Sequence, residues 1–278
     1  MKARSLPLRI LRILFSVMLS CGISAGTAYA TPSTIVWIPS VDIQPFKTFH
    51  LNVDGYLRSK KESPGNLTGA APDRNLAPMY MIGPTFGISP FERIQAEVGF
   101  DMIYGGANTN AGLDKYPFYG HAKIGTPEDN TWKPAIAVGI YNFGTKSGDA
   151  RKGELATNQD IAYALVGKTL PVVGRLSAGG YIGNKKVLVT DGKDANGNFR
   201  PDEKGVLLSW DRTMSEISDK LWLGVDYMSG RNVNGALSFG AAWSFAKNVS
   251  VIFGYDIWNN RKVAGENTFT VQVDINFP

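Results

Sequence analysis

The chain has 278 residues, of which 44% are hydrophobic, and 29 Lys and Arg stand against 24 Asp and Glu. This excludes a helical membrane bundle, because no segment beyond the N-terminus approaches the roughly 20 uninterrupted apolar residues that a spanning helix needs. Long disorder is also excluded, because aliphatic and aromatic residues recur to the C-terminus and the charges nearly balance. The composition therefore indicates a folded chain rich in β-structure.

The first thirty residues have the pattern of a secretory signal. Basic residues precede an apolar stretch at 13–19, and small residues then lead to Ala28-Tyr29-Ala30, which predicts cleavage after Ala30. The segment holds four of the basic residues and no acidic one, so the mature chain is close to neutral and no nucleic-acid partner is expected. It also holds Cys21, the only cysteine, whose surroundings fit a lipidation motif only in part. The mature chain is therefore predicted to lack disulfides and Cys-based sites.

From residue 47 onwards, apolar and polar residues alternate with a period of two, which is the pattern of β-strands with two unlike faces. The clearest stretches are 94–104 and 268–277, where one face is apolar and the other polar or charged. The pattern predicts an all-β chain of about twelve strands, and ten or fourteen also fit. The predicted strands are 47–58, 79–88, 93–104, 115–126, 134–143, 159–169, 175–184, 204–213, 219–229, 234–246, 249–258 and 267–277.

The predicted connections differ in length according to the end of the sheet at which they lie. Long connections rich in Gly, Asn and Asp include 59–78, 144–158 and 185–203, whereas 89–92, 170–174 and 246–248 are short. Short turns at one end and long loops at the other are typical of transmembrane β-barrels.

With its signal segment, its alternating strands, its unequal loops and Phe277 near the end of the last strand, the chain resembles the bacterial outer-membrane β-barrel proteins. Pro278 departs from their terminal aromatic residue. The resemblance implies a single antiparallel up-and-down barrel over 47–278, in the outer membrane of a Gram-negative cell, with outer-membrane lipid as its surroundings. A soluble periplasmic sandwich or propeller is the alternative, since such folds alternate as well.

If the apolar face meets lipid, the polar face lines the lumen, because charges in hydrocarbon would cost roughly 2 to 4 kcal/mol each near the midplane. The predicted lumen residues are His50, Asp54, Arg58, Glu97, Asp101, His121, Lys123, Lys168, Asp226, Asp256 and Asp274. These charges either line an aqueous path or pair across a narrow barrel and close it. We favour a narrow channel for small polar or amphipathic solutes.

Residues 31–46 precede the first strand and are too interrupted by proline to form a central strand. They lie either inside the lumen as a plug or along the inner rim, and the sequence does not separate these alternatives. A non-transporting barrel, whose long outer loops bind a partner, is the alternative function. The oligomeric state is not predicted.

Neither a metal nor a cofactor is predicted. Asp194, Asn196 and Asn198 have the alternate spacing of calcium ligands, but Phe199 and Gly205 stand where an EF-hand loop needs Gly and Glu. Turn-forming residues in a surface loop explain the stretch. The chain is predicted not to be an enzyme, because His50 and His121 are its only histidines and no nucleophile motif accompanies them.

Overall fold

Twelve antiparallel strands close into one barrel in the computed structural model, which describes residues 33–69, 76–129 and 132–278. Their bounds are β1 Phe49–Arg58, β2 Met79–Gly87, β3 Gln95–Gly105, β4 Phe118–Thr126, β5 Ala135–Gly144, β6 Ile161–Leu170, β7 Gly174–Ile182, β10 Lys204–Thr213, β11 Leu221–Met228, β12 Ala236–Ala246, β13 Val249–Trp258 and β14 Thr268–Phe277. The predicted fold class is confirmed, and no predicted strand end is displaced by more than three residues. The predicted signal segment lies outside the described residues.

The first and last strands close the sheet. Strand β1 pairs with β14 over ten residues, from Phe49 opposite Phe277 to Arg58 opposite Thr268. Every other barrel strand pairs with its neighbours along the chain, except that β7 pairs with β10. Closure leaves no unpaired sheet edge, which is the condition for β-structure in a medium without water.

The outer face of the barrel is apolar along its middle. Side chains of alternate residues point outwards and are exposed, among them Ile82, Phe100, Ile124, Val138, Val166, Leu208, Phe253 and Phe269. An apolar surface continuous around a closed sheet far exceeds the patches that soluble monomers expose. No second protein layer covers it within the described residues.

The long connections contain structure that alternation did not predict. Strands β8 (Val189–Lys193) and β9 (Phe199–Pro201) form a separate hairpin between β7 and β10. Its turn is held by Asp194, whose Oδ1 accepts the backbone N–H groups of Asn196 and Asn198 at 2.9 and 3.0 Å. The remaining elements are α1 Gly106–Ala111, α2 Arg261–Ala264 and the 3-10 turns Leu113–Lys115 and Ala150–Lys152. Among the described residues, no helix is long and apolar enough to cross a membrane.

Candidate functional site

The inner wall of the barrel has a polar part and an apolar part. Strands β11 to β14 and β1 to β4 supply the polar part, whose buried members are His50, Asp54, Thr85, Glu97, Lys123, Asp226, Ser238, Ser250, Asp256, Thr270, Gln272 and Asp274. Strands β5, β6, β7, β10 and β11 supply an apolar cluster that includes Ala137, Tyr163, Leu165, Tyr181, Leu207 and Met228. The lumen is therefore amphipathic in cross-section.

Residues 33–46 lie inside the barrel, and we call them the lumenal segment. Ile35, Val36, Ile38, Val41 and Ile43 are each at most 5% exposed. The segment turns back on itself, because the N–H of Ile35 donates to the carbonyl of Ile38 at 2.9 Å. Ile38 and Val41 belong to the same apolar cluster as Leu165 and Leu207, whereas Ile35 and Val36 pack with Trp222, Ala242 and Ile252.

The segment is folded back on itself, and one end of this folded unit, the turn at residues 36–38, is held by Asp226 on β11. The Oδ2 of Asp226 accepts the backbone N–H groups of Val36, Trp37 and Ile38 at 2.7, 2.8 and 3.3 Å. Successive N–H groups that converge on one oxygen form a concave anion site of the kind that backbone turns provide. The buried Oδ2 of Asp226 and the N–H groups of the turn therefore satisfy each other.

The other end is held by Glu97 on β3. Its Oε2 accepts the N–H of Gln44 at 2.6 Å, and its Oε1 accepts the hydroxyl of Ser33 at 3.1 Å. Lys123 on β4 forms an ion pair with Glu97 at 3.1 Å and also donates to carbonyl oxygens of the segment. Strands β3 and β11 are six positions apart in a ring of twelve, so the lumenal segment spans the full width of the lumen.

Further contacts fix the segment towards the short-turn end and towards the long-loop end of the barrel. Towards the short turns, Arg175 binds Asp42 at 2.6 Å and Asp211 at 2.9 Å. Towards the long loops, the ring of Trp37 packs edge-on against Trp258, with the ring centroids 5.0 Å apart. The indole N–H of Trp37 donates to the carbonyl oxygen of Asn234 at 2.8 Å. These contacts order the segment along its whole length.

Two glycines in the wall make room for the segment. A Cβ at Gly87 would lie 1.9 Å from the carbonyl oxygen of Pro45, and one at Gly240 would lie 2.9 Å from a methyl group of Val36. A side chain at Gly87 would meet backbone and would displace the segment. The wall is therefore shaped to receive this part of the chain.

A hollow of about 120 Å³ lies between the lumenal segment and strands β14 and β1 to β6, and it reaches from His50 near the short-turn end of β1 to Met79 at the long-loop end of β2. Two histidine–carboxylate pairs line it: the Nε2 of His50 is 3.2 Å from Asp274, and the Nδ1 of His121 is 3.3 Å from Asp101. The Nε2 of His121 lies 2.9 Å from the hydroxyl of Thr85. We call this hollow the outer cavity. A second hollow, of about 460 Å³, lies on the short-turn side of the segment near Arg175.

The long loops that follow β1 and precede β14 contact each other. Arg58 forms an ion pair with Glu62 at 3.0 Å and donates to the carbonyl oxygen of Ala264 at 2.6 Å. Burial raises the pKa of Glu266, but hydrogen bonds from Ser63 and Lys60 and the charge of Lys60 outweigh this and lower it below its ordinary value. Glu266 therefore stays ionised as an anchor for the loop 259–267.

Ten of the eleven residues predicted to line the lumen lie on the lumen side of their strands in the structure. His50, Asp54, Glu97, Asp101, His121, Lys123 and Asp274 line the outer cavity. Asp226 binds the lumenal segment, Arg58 binds the outer loops, and Asp256 accepts the hydroxyl of Thr268 at 2.7 Å.

The prediction for Lys168 is wrong. This residue shares the outward parity of β6 with Val166, and its Nζ pairs with Glu128 of the β4–β5 turn at 3.4 Å. The inward positions of β6 are Ile161, Tyr163 and Leu165. Both faces of β6 are mainly apolar, so alternation alone does not show which face points inwards. The single charged residue Lys168 near the strand end led to the wrong assignment of the inward face.

Sequence reasoning missed Thr85, Arg175 and the polar backbone of the lumenal segment. Thr85 stands in a strand whose outward and inward residues are both largely apolar, and Arg175 lies next to a short turn. Alternation along β7 could have indicated that Arg175 faces inwards, because its apolar neighbour Leu176 then faces outwards. In the structure Leu176 is indeed exposed. Nothing in the sequence pairs either residue with its partner.

No family model and no curated protein matches the chain. Among solved structures, an outer-membrane channel from Pseudomonas putida F1 is similar, with 11% identity, a TM-score of 0.46, and coverage of 92% of this chain and 100% of that chain. The NanC porin matches with 10% identity, a TM-score of 0.44, and coverage of 82% and 99%. Outer membrane phospholipase A from Escherichia coli matches with 10% identity, a TM-score of 0.43, and coverage of 90% and 99%.

The chain has the architecture of an outer-membrane β-barrel. Its own closed antiparallel sheet of twelve strands and its apolar exterior carry that statement. The three solved proteins are similar to it in this architecture and differ from one another in what their names say they do.

Proposed function

We propose that this barrel is an outer-membrane channel for small polar or amphipathic solutes, and that the lumenal segment holds it closed in the conformation described. The observation that carries the proposal is the segment itself. It joins Asp226 on β11 to Glu97 on the opposite side of the ring and lies between a hollow along β14 and β1 to β6 and a second hollow near the short turns. A lumen filled by a separate piece of chain can open when that piece moves.

A position in the outer membrane is supported by the surface of the barrel. Exposed aromatic residues lie near both ends of the apolar band: Tyr80 and Tyr104 towards the long loops, and Trp243 and Phe245 towards the short turns. Two aromatic girdles at this spacing are typical of barrels that span an outer membrane, with the short turns in the periplasm.

A charge in the middle of the apolar band is expected to destabilise the barrel in lipid. Phe253 is exposed and lies at the centre of β13, so Phe253→Arg should lower the free energy of unfolding from lipid vesicles by about 2 to 4 kcal/mol. Ile257→Arg, one residue from the outer end of the same strand, should cost about 0 to 1 kcal/mol. Urea titrations followed by heat-modifiable gel mobility measure both. Equal costs would contradict the membrane position.

The lining of the outer cavity supports an amphipathic solute. Met79, Met81, Ile103 and Tyr163 contribute apolar surface, and charged residues of β1, β3 and β14 line the same cavity. A polar solute can exchange its water for these carboxylates and imidazoles, while an apolar body can contact the methionines and the aromatic ring.

Channel function is tested by planar-bilayer recordings on the full-length barrel. We expect a predominantly closed protein with brief, discrete openings, because the lumenal segment must leave its contacts before solute can pass. Strictly no openings, in the full-length protein and after removal of the segment, would favour the non-transporting barrel with partner-binding outer loops.

The Thr85–His121–Asp101 chain raises the question of hydrolysis, since a hydroxyl, an imidazole and a carboxylate follow one another as in hydrolase triads. We propose that the protein is not an enzyme. Thr85 is 1% exposed, and its branched Cβ and burial oppose attack on a bulky ester.

Short- and medium-chain p-nitrophenyl esters should therefore be hydrolysed no faster with the protein than without it. His121→Ala and Thr85→Ala serve as matched variants in the same assay. Hydrolysis by the native protein that both substitutions abolish would contradict this expectation and would assign the three residues catalytic roles.

A further inference from the structure

We propose that the outer cavity is a binding site for small organic cations with an apolar body. The inference deepens the proposed function and rests on it only in taking such a cation as the solute of the channel. It is carried by one buried carboxylate oxygen, by the charges that surround it and by the apolar side chains that lie beside it.

The buried oxygen belongs to Asp54 in the middle of β1. Asp54 is 6% exposed and lines the outer cavity. Its Oδ2 accepts a hydrogen bond from Asn52 at 3.2 Å, whereas its Oδ1 has no hydrogen-bond partner among the described residues. A buried polar atom without a partner is costly, and a cationic N–H donor or a quaternary ammonium group would relieve that cost.

The charges around Asp54 leave the cavity negative. Four carboxylates line it, against one lysine and two histidines: Asp54, Glu97, Asp101 and Asp274 against Lys123, His50 and His121. Glu97 and Lys123 form an ion pair at 3.1 Å and neutralise each other. With Asp54, Asp101 and Asp274 ionised, the rest carries excess negative charge whether the histidines are neutral or protonated, so the cavity attracts cations and repels anions.

The apolar lining of the cavity favours an organic cation over a metal ion. Met81 lies next to Asp54 across β1 and β2, Met79 and Ile103 continue the apolar surface, and the aromatic rings of Trp37 and Tyr163 line the same cavity. Aromatic faces attract cations, and thioethers adapt to irregular apolar groups. In the parts of the chain that the structure describes, no three His, Cys, Asp or Glu side chains are placed to hold one metal ion. A ligand with an ammonium group and an alkyl or aryl body can contact the carboxylates with its charge and the apolar side chains with its body.

The test is calorimetric titration of the full-length barrel in detergent micelles with three probes of equal chain length: hexyltrimethylammonium, hexan-1-ol and hexane-1-sulfonate. We expect the cation to bind at least about tenfold more tightly than the alcohol, with no measurable binding of the sulfonate. Asp54→Asn, which keeps the shape of the side chain, should weaken cation binding by about tenfold or more and leave alcohol binding within about twofold.

Asp256→Asn is the matched control. Asp256 is also a fully buried carboxylate on the lumen side, on β13, but it does not line the outer cavity. Heat-modifiable gel mobility confirms that both variants are folded. The inference is overturned if the three probes bind equally, if none binds, if Asp54→Asn has no effect, or if Asp256→Asn weakens cation binding as strongly as Asp54→Asn.

The result is separable from that of the channel proposal. Cation binding without conductance would support the binding site and contradict the channel proposal. Conductance without preference for the cationic probe would support the channel and contradict the binding site.

Discussion

Deletion of residues 33–45 is expected to turn a closed barrel into an open one. The lumenal segment contributes almost nothing to the sheet, since its contacts with strand backbones are limited to the end of β2 near Gly87. The twelve-stranded wall should therefore survive, and a barrel of this strand number has a backbone radius of roughly 12 Å by geometric estimate. Mean conductance in planar bilayers should rise by at least about tenfold over the full-length protein.

A synthetic peptide of residues 33–46 provides the control for this deletion. The wall keeps Asp226, Glu97 and the two glycine recesses, so the peptide should restore closure, whereas a scrambled peptide of the same composition should not. A deletion variant that runs as a folded barrel on unboiled gels but shows no conductance would contradict the assignment of the segment as the closing element.

Asp226→Ala is expected to undock the lumenal segment without removing it. The substitution leaves the N–H groups of Val36, Trp37 and Ile38 buried without their acceptor. If each lost hydrogen bond costs about 1 kcal/mol, docking is weakened by about 3 kcal/mol. The fraction of time that the channel is open should then rise by roughly a hundredfold, as measured from single-channel recordings.

Two matched substitutions sharpen this result. Asp226→Asn keeps one oxygen as an acceptor and should open the channel less often than Asp226→Ala. Asp256→Ala removes a carboxylate of equal burial that contacts Thr268 and not the segment, so it should leave the open fraction close to that of the native protein. An equal increase for Asp226→Ala and Asp256→Ala would show that loss of any buried lumen charge loosens the barrel.

The sequence predicts the barrel well because two independent signals agree along most of its length. On β1, β3 and β14 the outward face is apolar and the inward face polar, so the period of two fixes both the strand and its orientation. The unequal connections then indicate which strand ends lie together. These strands hold most of the lumen residues that the sequence predicts.

Sequence reasoning fails where the inner wall packs against the lumenal segment. Ile161, Tyr163 and Leu165 on β6 face inwards against Ile38 and Val41, so both faces of that strand are apolar and its phase is ambiguous. The misplacement of Lys168 follows from this. The partners of Asp226 and Glu97 are also invisible in the sequence, because the backbone N–H groups that bind them carry no side-chain signature.

The lumenal segment also constrains how the molecule assembles. It immediately precedes β1, yet its two anchors lie on β3 and β11, on either side of the junction between β1 and β14. The anchor at Glu97 needs only the segment, β3 and β4, whereas the anchor at Asp226 needs β11, and the segment lies within the space that the pairing of β1 with β14 encloses. Docking of the lumenal segment and closure of the sheet are therefore coupled, because the segment links the first strands to β11 across the interior.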